Sequence, residues 1–208
     1  MESCGAVIDE ILRIPDDFPS TLVDKAECVV VIPSVVKVAF ILGGMYGRGA
    51  MTCRGGADFT GPWGAPTMIA IEGGSLGFQL GGQATDFVIL VMNPRGATTI
   101  LNGQGKLGVN VSAAAGPKGR TAEAATDVSL RAELLTYARS RGLFAGVSLE
   151  GSTLRPDNNA NDSLYGKRLD ATDIVKNNAV TAPESARQLL DLLQRYSPRN
   201  NSEPSSLN

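Results

Sequence analysis

From residue 28 to about residue 155 the chain is a succession of short apolar runs separated by glycine pairs. The runs are CVVVIP, KVAFILGG, GAMTCR, TMIAIEGG, SLGFQLGG, DFVILVM, KLGVNVSAAAG, AELLTYARS and LFAGVSLEG. Gly43-Gly44, Gly55-Gly56, Gly73-Gly74 and Gly81-Gly82 punctuate them. Val- and Ile-rich runs of this length fit strands, and paired glycines supply the backbone angles of tight corners. Their spacing predicts a closed or sandwiched antiparallel sheet. Helical periodicity is confined to the ends. AVILMFWYC residues make 43% of the chain, which supports a sizeable core.

At the N-terminus, residues 6–14 put Val7, Ile8, Ile11 and Leu12 on one helical face, and Pro15 stops that helix. Residues 19–27 form a second short helix. At the other end, residues 183–196 start on a proline and carry Leu189, Leu190, Leu192 and Leu193 at helical spacing. The 208 residues therefore predict one α+β domain, β-rich, with an antiparallel sheet or barrel and flanking N- and C-terminal helices. It spans residues 1–197, and the polar residues 198–208 are expected to be a disordered tail.

The chain has no histidine, so Ser–His–Asp and Cys–His machinery and histidine zinc sites are excluded. Cys4, Cys28 and Cys53 form no CxxC pair, and an odd count is a poor disulfide framework. At most one bridge can form, and Cys28, inside an apolar run, fits a small buried hydrophobe better. No metal or cofactor is expected. The Cys28–Gly44 stretch is broken by Pro33, Ser34 and Lys37, too interrupted for a membrane span. Met1 and Glu2 open no basic leader, so the chain is expected to be soluble or peripheral. A bacterial envelope or periplasmic setting is expected if a leader was removed, and a cytoplasmic one otherwise.

Several motifs fail on context. Gly103-Gln104-Gly105-Lys106-Leu107-Gly108 matches GxGxxG, but a strand-like run follows where a dinucleotide site needs a helix. Gly105-Lys106 is followed by Leu107, not by the Ser or Thr of a P-loop. Gly146-Val147-Ser148-Leu149-Glu150 ends in Glu where a nucleophile elbow has Gly. Asp157-Asn158-Asn159-Ala160-Asn161 alternates oxygen donors, yet Asp162 and Arg168 occupy the calcium-loop positions of Gly and Glu. A turn and helix cap explains it better.

Charge is unevenly placed on a chain of net charge −2. Residues 1–36 hold seven acids and two bases, net −5. Residues 37–57 hold Lys37, Arg48 and Arg54 and no acid, and residues 87–122 hold Arg95, Lys106, Lys118 and Arg120 and no acid. Arg139 and Arg141 follow. Brought together, these cations would make a basic face for anionic headgroups on an acidic protein with no field for nucleic acid. Solvated surface charge is the equal alternative. Gly116-Pro117-Lys118-Gly119-Arg120 has the chemistry of an anion nest, although a turn accounts for its glycines more simply. An enzyme pocket from Tyr137, Arg139, Ser140 and Arg141 with Asp127, Glu133 and Glu150 is the minority reading, because such clusters more often fix a fold, and an envelope scaffold that binds protein and not lipid is the other alternative.

VVVIPSVVKVAFILGGMYGRGAMTCR, WGAPTMIAIEGGSLGFQLGGQATDFVILVMN, GVNVSAAAGPKGRTAEAATD, YARSRGLFAGVSLEGSTLRPD and NNANDSLYGK, in this order, resemble the SYLF domain family. The resemblance runs from about residue 5 to residue 196. It implies a non-catalytic domain that binds phospholipid membrane surfaces; eukaryotic members bind phosphoinositides, and some fungal members bind actin. Lacking an added peptide-binding or zinc-finger module, the chain is similar to stand-alone bacterial members, and its protein partners stay open. The resemblance together with the charge pattern makes Lys37, Arg48, Arg54, Lys106, Lys118, Arg120, Arg139 and Arg141 the candidates for headgroup contact. The N-terminal segment departs from the basic amphipathic helix of eukaryotic members, since Glu2, Asp9, Glu10, Asp16 and Asp17 face a single Arg13. Membrane contact is therefore expected on the central basic segments or at an apolar groove.

Overall fold

The computed structural model describes residues 1–13, 20–38, 44–56, 59–74, 84–117, 131–140, 143–177 and 179–202. Helices α1 (Glu2–Leu12) and α2 (Ser20–Val23) precede the sheet. Then come β1 (Cys28–Val38), β2 (Gly44–Cys53), β3 (Thr67–Gly74) and β4 (Thr85–Val91). Helix α3 (Pro94–Leu101) leads to β5 (Gly105–Lys106), β6 (Ala113–Ala115), β7 (Leu134–Ser140), β8 (Leu143–Gly146) and β9 (Thr153–Pro156). Helices α4 (Asn158–Tyr165), α5 (Ala171–Val175) and α6 (Arg187–Tyr196) complete the chain.

The nine-stranded sheet runs β5-β9-β3-β2-β1-β4-β7-β6, and β8 pairs with the second half of β7. All pairings are antiparallel except β6 with β7, so the sheet is mixed where a purely antiparallel one was expected. Both faces are covered, which is why CVVVI is apolar at every position. Val30 and Ile32 face an inner cluster with Ile69, Ile71, Phe87, Ile100 and Ile174. Val29 and Val31 face an outer cluster with Val7, Ile8 and Ile11 of α1 and Leu189 and Leu193 of α6.

Three runs differ from expectation. CVVVIP continues through Pro33 into one long strand whose pairing shifts between Val31 and Val36. Ser34 takes φ 52° there, and its N–H donates to Asp86 Oδ1 at 2.8 Å. Opposite this bulge, a Cβ on Gly49 would stand 1.9 Å from the Val31 carbonyl oxygen, so only glycine lets the two backbones approach. KLGVNVSAAAG is two short strands around a turn, because the N–H groups of Asn110 and Val111 fold back onto Lys106 O. PRGATTIL is a helix, capped by Asn93 Oδ1, which accepts from Gly96 N at 2.8 Å. SLGFQLGG lies outside the described residues.

Cys28 stands directly opposite Cys53 in the β1–β2 ladder and forms a disulfide with it. This corrects the expectation of a free buried thiol at Cys28; Cys4 is the free cysteine, buried on the outer face.

Candidate functional site

The register fixes which candidate cations share a region. Because β1, β3 and β7 run in one direction and end within a few rows of one another, the chain leaves the sheet after Val38, Gly74 and Ser140 at the same end, whereas β6 ends at Ala115, opposite Thr136 and four rows short of Ser140. Lys37 occupies the last ladder positions of β1, opposite Met45. One row below, Val36, Tyr46, Glu72, Thr153 and Lys106 align across five strands. Arg48 lies opposite Ala70, which pairs with Arg155. Across β4, Arg139 opposes Asp86 and Phe144. Lys118, Arg120 and Arg141 lie outside the described residues. The Lys37 side chain is likewise not described.

Apolar side chains are exposed at this same end: Val36 at 58%, Tyr46 at 46% and Leu143 at 75%. Val36 and Tyr46 are directly paired neighbours.

Two of the candidate arginines are ion-paired. Arg48 Nε lies 2.6 Å from Asp157 Oδ2, and Arg139 pairs with Glu10 of α1 and with Asp86. Arg155, absent from the sequence candidates, makes a two-pronged contact with Glu72 at 3.0 and 3.2 Å. That hydrogen bonding holds the Glu72 carboxyl below the usual carboxylate range. Lys106 is exposed and makes no ion pair among the described residues. A surface cleft of about 480 Å³ opens beside Arg48, lined by Met1, Met68, Asn159, Ser163 and Leu164.

Arg54 is the exception among the candidates. It follows β2 at the opposite end of the sheet and is 1% exposed. Its Nε donates to Ala26 O at 3.2 Å and its Nη2 to Ser197 Oγ at 2.6 Å, and its guanidinium lies 4.3 Å from the Trp63 ring centroid. Burial lowers its pKa, while Asp24 and Glu27 pull the other way. Buried in this way, it is a structural cation out of reach of a headgroup at the surface. Glu27, fully buried, accepts from Asn200 Nδ2 at 2.6 Å, and burial pushes its carboxyl above the usual range. Sequence reasoning missed Glu27, which looked like one more acid of the N-terminal segment.

Residues 197–202 make hydrogen bonds to this end of the sheet. Trp63 Nε1 donates to Ser197 O at 2.9 Å, Asn200 Nδ2 to Phe59 O at 3.0 Å, and Asn201 N to Asp24 O at 2.6 Å. Residues 203–208 lie outside the described residues.

Of the rival residues, Glu133 and Tyr137 hold strands together. Glu133 accepts from Ser112 N at 2.8 Å, joining the approach to β6 with that to β7. Tyr137 is fully buried, stacks on Phe144 at 4.9 Å and donates to Pro117 O at 3.3 Å, while Glu150 is exposed. Asp127 and Arg141 lie outside the described residues. The GxGxxG run follows the end of α3 and contains β5, so a strand and turn stand where a dinucleotide site has the start of its helix. Asp157 is the N-cap of α4, its carboxylate accepting from Ala160 N at 3.2 Å. No cluster of metal-ligating side chains occurs among the described residues, and no described helix is long and apolar enough to cross a membrane.

Comparison with known proteins adds the family. The Ysc84 family profile, described as "Las17-binding protein actin regulator", matches residues 72–196. An SH3 domain-containing protein of Schizosaccharomyces pombe is 36% identical over 187 residues, covering 88% of this chain and 42% of that protein. SH3 domain-containing YSC84-like protein 1 of Bos taurus is 33% identical over 197 residues, 91% of this chain and 54% of its own. Protein YSC84 of Saccharomyces cerevisiae is 34% identical over 179 residues, 85% and 37% respectively. The chain thus spans about half the length of these relatives, or less. Matched by the family profile over most of its sheet and C-terminal helices, and by these relatives over nearly all of its length, the chain belongs to the Ysc84/SYLF family.

Proposed function

We propose that this domain binds anionic phospholipid headgroups without catalysis, through the end of the sheet that carries Lys37 and Lys106, with Lys118, Arg120 and Arg141, outside the described residues, as further candidates. The observation that supports this reading is the shared direction of β1, β3 and β7, whose exits lie at the end of the sheet that carries Lys37 and the row from Val36 to Lys106. The exposed Val36, Tyr46 and Leu143 support it, since apolar tips beside cations suit the headgroup–acyl boundary. Arg48 and Arg139, already ion-paired, add little net field and serve as positioning residues. Each unpaired lysine or arginine near a charged bilayer contributes about 1 kcal/mol.

Vesicle co-sedimentation tests the reading. Lys106→Ala is expected to weaken binding to phosphatidylserine vesicles about fivefold, with thermal stability unchanged. Equal binding of the variant and the parent would remove Lys106 from the site.

A second reading is favoured by the family description, in which the matched profile is named for Las17 binding and actin regulation. In it, the same domain docks an actin-regulatory protein. A pull-down with purified Las17-type partner, in the absence of lipid, separates the two.

A further inference from the structure

We propose that the Cys28–Cys53 bridge and the C-terminal segment 197–202 form one redox-sensitive latch: the bridge fixes the seat of the segment, and the segment shields the bridge. The bridge closes the end of the β1–β2 hairpin. The residues on its outer flanks are Glu27 and Arg54, tied to each other by Arg54 N donating to Glu27 O at 2.9 Å. Those same side chains hold the segment, Glu27 through Asn200 and Arg54 through Ser197. The covalent link thus sits one residue from each anchor.

The sulfurs are closed off, Cys28 being 0% and Cys53 1% exposed. Thiol–disulfide exchange needs a thiolate in line with a sulfur, so it must wait for local opening. In forming the bridge, one protein thiolate attacks an external disulfide and releases one thiol. The second protein thiolate then displaces the other, so two protein thiols and one external disulfide give the bridge and two external thiols. A dithiol reductant runs the same sequence backwards. Cys4 does not enter, because it lies in the outer cluster and the bridge in the inner one, with the sheet between them. Linkage makes the effect reciprocal: if the bridge favours the docked segment, docking protects the bridge to the same degree.

Both directions are measurable on the full chain. Hydrogen exchange of residues 197–202 is compared between protein oxidised with glutathione disulfide and protein reduced with dithiothreitol. Reduction is expected to speed exchange there about tenfold while leaving the β3–β9 amides unchanged. Conversely, Asn200→Ala removes the contacts to Glu27 and Phe59 and is expected to speed dithiothreitol reduction about tenfold. Ile174→Val, a mild core change elsewhere, controls for general loosening. Equal exchange in the two redox forms, or equal reduction rates for Asn200→Ala and Ile174→Val, overturns the latch. So does full alkylation of Cys28 and Cys53 after oxidation.

Discussion

Replacing Arg54 with methionine separates a structural cation from a ligand contact. Methionine keeps most of the length and apolar stem of the side chain and removes the charge. The variant loses the hydrogen bonds to Ala26 O and Ser197 Oγ and the stacking on Trp63 at 4.3 Å. It also takes a positive charge from the neighbourhood of the buried Glu27 carboxyl. Relief of the guanidinium's own desolvation offsets part of this. Removing one member of a buried charge cluster costs about 3–5 kcal/mol, and a domain of this size shifts by roughly 2–4 °C per kcal/mol. The expected fall in Tm is therefore about 10 °C by circular dichroism near neutral pH. The double variant Glu27→Gln/Arg54→Met should recover part of it, because the stranded carboxylate is gone. At a temperature where Arg54→Met is folded, its vesicle binding should equal that of the parent. A Tm change below about 2 °C, or lost vesicle binding in the folded variant, refutes the placement of Arg54.

Three further outcomes follow from particular side chains. Gly49→Ala forces a Cβ against the Val31 carbonyl oxygen and is expected to cost about 3 kcal/mol or more, seen as a lower urea midpoint; an unchanged midpoint contradicts the close approach. Glu27, whose folded carboxyl is raised by burial, binds its proton more tightly folded than unfolded. The parent should lose stability as pH rises from the ordinary carboxylate range through the raised value, and Glu27→Gln should flatten that slope in urea titrations across the window. A parent slope of opposite sign would exclude burial as the dominant effect on Glu27. Val36→Asp and Leu143→Asp, both at exposed positions, should leave Tm within about 2 °C and weaken vesicle binding; undiminished binding removes the apolar tips from the site.

The helix faces of α1 and α6 and the buried run of β1 were legible because burial on one or both sides leaves a direct imprint on hydropathy. Helix α3 was not, since Gly96, Thr98 and Thr99 are poor helix formers; the signal available was Asn93-Pro94, a cap followed by a first-turn proline. The β5–β6 turn was hidden because Leu107 and Val111 are buried like strand residues while the backbone folds back on Lys106. The disulfide was hidden because register, not spacing, sets Cys28 opposite Cys53. At the site, sequence showed which windows lack acids, but not that Asp157, Glu10 and Asp86 arrive from elsewhere to pair with Arg48 and Arg139. Charge patterning along a chain cannot show pairing across a fold. Nor could it show that Arg54 turns inward, since a buried arginine and an exposed one read alike.

Co-sedimentation of the full chain with phosphatidylcholine vesicles, with and without phosphatidylserine, at low and high salt tests the central claim most directly. A headgroup site predicts retention on the anionic vesicles, little on the neutral ones, and loss of the difference as salt screens the charge. Equal partition onto both vesicle types at low salt would contradict it.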